Sequence, residues 1–471
     1  MLNTPLFQVF QALGKRDRNE LCRWVASPFV NRRTEVTRLC ECLCQLLDRE
    51  TTEENFRKTA IWNQVFPARP YDDAALRHTM SFLFRALKQW LAYREWAQDS
   101  TAVGLQLVRG LRKKGLARVF DKEFKNWLTP ALPDRQSVDF HLTQYQIRFE
   151  HWEADHSAGH AGTEQLNAAN ASFGAFVASS ALRHGCAALD KSQAAFSPAS
   201  FDFLPETLSA VEAGRYAGIP AVQVYFHCFK LMQSGEEHYF HALKNLLGRH
   251  TGLFPPEEIR DVYLVAINFC IRRLNTGEKT FVREAFDLYR SGLERGIILD
   301  NGLLPKATYQ NIMLLALALD EWEWARRFLE DFRTALVVGE RHNAYHFNLA
   351  LWHFRKKEYA QAQDILRRVE FRDAHYNLDA RRMMVRMYYD TDEVAALDSL
   401  LHSFRIYLQR HRSIGYHREL NFNFVRCVQN LIQLEPGDER ARLMLYQKIQ
   451  QEKYLAEREW LLEKTGPGSG D

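Results

Sequence analysis

Ala285, Ala325, Ala362 and Ala396 stand 40, 37 and 34 residues apart, and each sits in the same kind of setting. An amphipathic run meets a short polar turn, and a second amphipathic run carries the small residue near its start. The stretch NLALWHFRKKEYAQAQDILRRVEF, residues 348–371, is the clearest copy, and residues 308–332, 383–404 and 269–293 repeat its pattern. A more degenerate fifth copy centres on Ala242 within QVYFHCFKLMQSGEEHYFHALKNLL. Each unit is a helix–turn–helix hairpin in which the small side chain lets the two helices approach closely. One hairpin cannot bury both its faces, so neighbours must stack, and the outcome is an α-solenoid with a concave inner surface.

The rest of the chain is helical in its own way. Fourteen prolines in 471 residues leave room for long helices, and length alone calls for more than one core. Leu6, Phe7, Phe10 and Leu13 recur at helical spacing before Gly14, and Asp17 heads a second helix that Ser27-Pro28 breaks. Glu35–Leu47 forms a third helix, 53–66 a short one ended by Pro67 and Pro70, and Asp72-Asp73 cap a long one. The expected organisation is all-α: an N-terminal basic helical domain (1–97), a connecting helical region (98–200), the solenoid (201–455) and a flexible tail (456–471). Ala, Ser, Gly and His dominate 154–199, which reads as a flexible connection or as tight helix packing by small residues.

The units around Ala362 and Ala396 resemble tetratricopeptide repeats, in which a small residue follows a Lys-Glu-Tyr type of turn. KKEYAQA matches that turn well, DTDEVAAL more loosely, and DEWEWARR keeps the spacing and the aromatic. EAFDLYRSGLERGI followed by TYQNIMLLALA has a flavour of pentatricopeptide repeats. Most of the chain is also similar to long helical-repeat proteins of Bacteroidota-type bacteria, in which a Ser-Pro-aromatic-Asn bend, here Ser27-Pro28-Phe29-Val30-Asn31, precedes degenerate repeats. The resemblance implies an architecture and no activity. The usual Trp and closing Pro positions are mostly unfilled, so no groove residue of that family carries over.

Charge divides the chain unevenly. Residues 1–125 hold 22 Lys and Arg against 14 Asp and Glu, and the remainder holds 40 against 44. Lys15, Arg16, Arg18, Arg23, Arg32, Arg33 and Arg38 make one basic group, and Arg109, Arg112, Lys113, Lys114, Arg118, Lys122 and Lys125 another. Arg32, Arg33, Arg38, Arg109, Arg112, Lys113 and Lys114 are the candidate contacts to a partner or to phosphate. A protein or peptide on the repeat surface is the favoured partner, with nucleic acid at the basic N-terminal region as the alternative. Exposed apolar edges at the ends of the array would also support self-association into a homo-oligomer.

Catalytic and cofactor signatures are missing from the pattern. There is no GxxxxGK[ST], no GxGxxG after a strand, no HExxH and no GxSxG, so no catalytic residue, cofactor or metal is expected. Cys40, Cys42 and Cys44 alternate at every second position, which is wrong for a zinc knuckle; Cys40 and Cys44 join Leu39, Leu43 and Leu47 on an apolar helix face, and Cys42 sits off it. His151, Asp155, His156 and His160, like Glu237, His238 and His241, read as surface positions. Scattered cysteines, no secretory leader and no apolar run long enough for a membrane span point to a cytoplasmic, non-enzymatic protein.

Overall fold

The computed structural model describes residues 4–48, 53–128, 136–157, 159, 162–195, 202–369, 374–411, 415–435 and 437–466. Among them the fold is all-α: twenty-three α-helices and two short 3-10 turns, with one isolated bridge between Asp300 and Leu303 and no strand. No described helix is long and apolar enough to cross a membrane. Two compact units divide the chain, Met1–Asp134 with Val138–Val177, and Arg135–Ser137 with Ala178–Asp471. The sequence suggested boundaries at 97 and 200. The division into two units falls within a single helix, α9 (Thr163–Ala195).

The first unit opens with α1 (Pro5–Ala12), α2 (Lys15–Ala26), α3 (Thr34–Asp48), α4 (Lys58–Val65) and α5 (Asp73–Gln98). Thr4 and Asp72 cap α1 and α5, each side chain accepting from backbone N–H groups of the first turn. Phe7, Phe10, Leu21, Leu39, Leu43, Leu83, Leu87 and Trp90 from these helices share one core. Asp99 then ends α5 and caps α6 (Ser100–Lys113), which packs with α7 (Ala117–Leu128) and α8 (Val138–Ser157) over Leu105, Val108, Phe120, Phe124 and Ile147.

In the second unit α10 (Leu204–Glu212) precedes six hairpins. They are α11 (Pro220–Ser234) with α12 (Glu237–His250), α13 (Pro256–Asn275) with α14 (Phe281–Glu294), and α15 (Lys306–Ala318) with α16 (Trp322–Asp331). After them come α17 (Val338–Arg355) with α18 (Tyr359–Leu366), α19 (Ala374–Asp390) with α20 (Val394–Arg410), and α21 (Tyr416–Ile432) with α22 (Glu439–Gln451). Three consecutive turns are built alike. Asp320, Lys357 and Asp392 take left-handed φ of 58, 62 and 56°, a conformation that costs a non-glycine residue about 1 kcal/mol. The N–H of the following glutamate then bonds back to the first helix, Glu321 to Ala316, Glu358 to His353 and Glu393 to Tyr388, at 2.9–3.0 Å.

These turns set the register of the packing position. Ala325, Ala362 and Leu397 each donate their N–H to the carbonyl of that turn glutamate, at 2.8, 3.2 and 2.9 Å, so they are equivalent. Ala285, Ala325 and Ala362 are fully buried, as their spacing predicts. Ala396 is a correction: it lies one residue short of the equivalent position and is half-buried, while Leu397 takes the core site. The backbone turn, rather than the nearest small side chain, decides which residue faces inward.

Two further stretches depart from or complete the sequence reading. Within 154–199, the described part of α9 packs through small residues. Ala178, Ser179 and Ala181 are buried, and a Cβ added at Gly185 would come within 3.2 Å of Leu204 and Phe229. The tail, expected as flexible, carries α23 (Arg458–Thr465), with Trp460 and Leu461 buried against the α19–α22 core. An apolar pair within REWLLEKT outweighs the Gly-rich end, and residues 467–471 lie outside the described ones.

Candidate functional site

A polar network of the second unit runs along the first helices of its later hairpins. α15, α17 and α19 pack side by side. Gln310 of α15 nevertheless donates through Nε2 to Asp379 of α19 at 3.1 Å, across a whole intervening hairpin. Two helices flanking a third can touch only on the side toward which the row curves, so this is the concave side. From Asp379 the network passes to Arg382, whose Nη1 donates to Asn421 Oδ1 of α21 at 3.0 Å. Arg382 Nε and Arg386 Nη1 then reach the two oxygens of Glu457, at 3.2 and 2.8 Å.

Glu457 belongs to the segment that precedes α23, and that whole segment lies across the concave side. Arg426 pairs with Glu452 at 2.8 Å, Asn423 donates to the Tyr454 carbonyl at 2.8 Å, and Ala456 N–H bonds to the Leu420 carbonyl at 3.3 Å. Farther on, Trp460 meets Tyr389 edge to face at 5.4 Å, and Lys464 pairs with Asp390 at 2.8 Å. Lys279, in the turn after α13, pairs with Glu459 at 3.0 Å. The Arg386 guanidinium lies over the rings of Phe354 and Trp460 at 4.9 and 5.7 Å. Burial lowers the Arg355 pKa, Arg386 beside it adds to this, and Glu457 opposes it, so three guanidinium groups sense one carboxylate. A fork of arginines on an aromatic floor is a device for holding a carboxylate beside an apolar side chain. None of these residues was legible as a site, because the partners meet from 71 to 75 positions apart.

The basic residues singled out by charge fall into two classes. Arg109 and Arg112 both donate to Glu150 of α8 at 2.7 Å, and Arg112 also pairs with Glu153 at 3.2 Å. Burial pushes the Glu150 pKa up, but the two arginine hydrogen bonds outweigh it, and the carboxyl is held below its ordinary value. Arg33 lies over the Phe82 ring at 3.9 Å. Arg32, Arg38, Lys113 and Lys114 are exposed and make no ion pair with a described residue. Beside Arg32 and Arg33 the Ser-Pro bend is stapled by Asn31, whose side chain contacts the Val25 carbonyl, Thr37 Oγ1 and Arg33 N–H at 2.9–3.2 Å. The staple leaves Phe29 wholly exposed at the tip.

The histidines resolve into local pairs. His151 meets Asp155 at 3.3 Å and stacks on Phe124, and His156 stacks on Trp152. His238 and His241 pair with Glu236 and Glu237, and His160 lies outside the described residues. The cysteines do not follow the sequence reading so simply. Cys42, expected off the apolar face, is buried and donates to Gln64 Oε1 at 3.0 Å. Cys40 and Cys44 turn instead toward Cys22 of α2, with sulfur separations of 3.5 and 3.2 Å to it.

Comparison of the chain with protein-family models, with curated proteins and with solved structures finds no match. The class defined by the coordinates is therefore an all-helical array of stacked hairpins whose concave side is crossed by its own C-terminal segment.

Proposed function

We propose that the chain is a non-enzymatic scaffold of tetratricopeptide-like character that holds a protein partner by a helical segment on the concave side of its hairpins. The observation that carries this reading is the seating of residues 452–464 against α19 and α21, with Glu457 between Arg382 and Arg386. The recognised segment has the chemistry of that occupant: an acidic residue for the arginines, and an aromatic one three positions on, as Trp460 follows Glu457. Anchors of this kind, a desolvated charge beside a buried aromatic, carry most of the affinity of protein interfaces.

Affinity purification of the intact chain from its native cell tests the reading. Glu457→Lys loosens the resident segment and raises the yield of a discrete co-purifying protein. Adding Arg386→Glu to that variant removes the captured protein again. The same proteins in equal amounts from all three chains overturn the proposal. The alternative, nucleic-acid binding, draws on the exposed Arg32, Arg38, Lys113 and Lys114, which make no ion pair among the described residues. It requires a salt-steep mobility shift that Arg32→Glu with Arg33→Glu weakens.

A further inference from the structure

Cys22 on α2 faces one side of α3, where Cys40 and Cys44 stand one helical turn apart. The three sulfur atoms all lie within 4.8 Å of one another. Cys40 and Cys44 are buried and Cys22 is half-buried. An ion with about 2.3 Å bonds to three sulfurs needs them about 3.8–4.0 Å apart, so the cluster needs only small adjustments to reach that separation. The helices supply the geometry through an i, i+4 pair on one and a single residue opposite on the other.

The thiols already contact one another, Cys22 to Cys40 at 3.5 Å and Cys22 to Cys44 at 3.2 Å. Arg18 lies alongside, its backbone carbonyl 3.8 Å from the Cys44 sulfur and its guanidinium paired with Asp48 at 2.5 Å. Cys42 is excluded from the cluster, since its sulfur faces Gln64.

We propose that Cys22, Cys40 and Cys44 form a three-thiolate site for a soft closed-shell metal ion. Three sulfurs satisfy copper(I) as a trigonal ligand set, whereas zinc needs a fourth ligand, such as a water, to complete its tetrahedron. Each cysteine binds as its thiolate, and the proton of every ligating thiol is released to solvent. No change of oxidation state is involved.

The test uses the full chain, reduced with a phosphine under nitrogen and titrated separately with zinc(II) and with copper(I) held by a competing chelator. The expected result is one ion per chain for at least one of the two metals. Loading protects three of the eight cysteines from alkylation, identified by mass spectrometry as 22, 40 and 44. Cys22→Ser weakens binding by more than the roughly 10–100-fold cost of outer-shell changes, while Cys42→Ser leaves it unaltered. Because Cys22 is half-buried, its variant keeps the fold, which helical circular dichroism verifies. Equal retention of metal by the parent and by Cys22→Ser overturns the proposal. So does an absence of stoichiometric binding by either ion, including the case where air simply yields a Cys22–Cys44 disulfide.

Discussion

Arg386 of α19 donates to Glu457 at 2.8 Å, although 71 residues separate them in the chain. Both side chains are about three-quarters shielded from solvent, and Arg382 shares the same carboxylate. Removing the acid strands two guanidinium groups. Glu457→Ala is expected to cost about 1–3 kcal/mol of unfolding free energy, with Glu457→Gln recovering part of it. Chemical denaturation of both variants, with Arg386→Met to close a double-mutant cycle, measures the coupling. A coupling energy near zero would mean that the contact contributes nothing.

The repeat register makes a sharper prediction. Enlarging the buried Ala325 or Ala362 to Leu overpacks the hairpin and costs about 1–3 kcal/mol. The same change at half-buried Ala396 is nearly neutral, whereas Leu397→Ala opens a cavity and costs about 2–5 kcal/mol. Thermal melts of the four variants place the inward-facing position. Sensitivity at 396 with tolerance at 397 would reverse the assignment.

His141 of α8 is buried, and its Nε2 has no hydrogen-bond partner among the described residues. Burial lowers its pKa to about 4. The folded chain therefore resists protonation that the unfolded chain accepts from about pH 6.5 downward. Stability is complete above that value and declines between pH 6.5 and 4, by about 1–3 kcal/mol for this residue, then levels off. His141→Leu removes that part of the pH dependence. An identical pH profile for the variant would assign the acid sensitivity elsewhere.

Glu150 acts lower on the scale. Its pKa is depressed by Arg109 and Arg112, so its contribution is present above the ordinary carboxylate value and is lost as pH falls through the depressed one. Glu150→Gln should flatten the stability profile below about pH 4 while leaving the pH 4 to 6.5 decline in place. Urea midpoints taken across both windows separate the two groups.

Local pattern carried the reading of this chain as far as local causes reach. Ala285, Ala325 and Ala362 were legible because helical spacing and a small side chain are features of short windows. Ala396 was misread because the deciding feature is the backbone geometry of Asp392-Glu393, which composition does not display. Cys40 and Cys44 carried half of a signal, an i, i+4 pair on one face, but their third partner sits on another helix. Glu457 showed nothing at all in sequence. Its role depends on the curvature that brings α19 under a segment wound back from the C-terminal end, and such contacts are set by tertiary packing.

The bond from Gln310 to Asp379 has a mechanical consequence. Hairpins joined only to their neighbours extend under load as a spring does, each interface opening a little. Here α15 and α19 are tied across α17, and Lys279 to Glu459 ties a still longer loop of chain. Pulling on this stretch loads polar side-chain bonds before the apolar interfaces can slide. In a force-extension trace the segment from α13 to α23 should yield in one abrupt step where an untied array would lengthen gradually. One abrupt step would mark the hairpins from Pro256 onward as a latch; a gradual lengthening would show that these bonds carry no load.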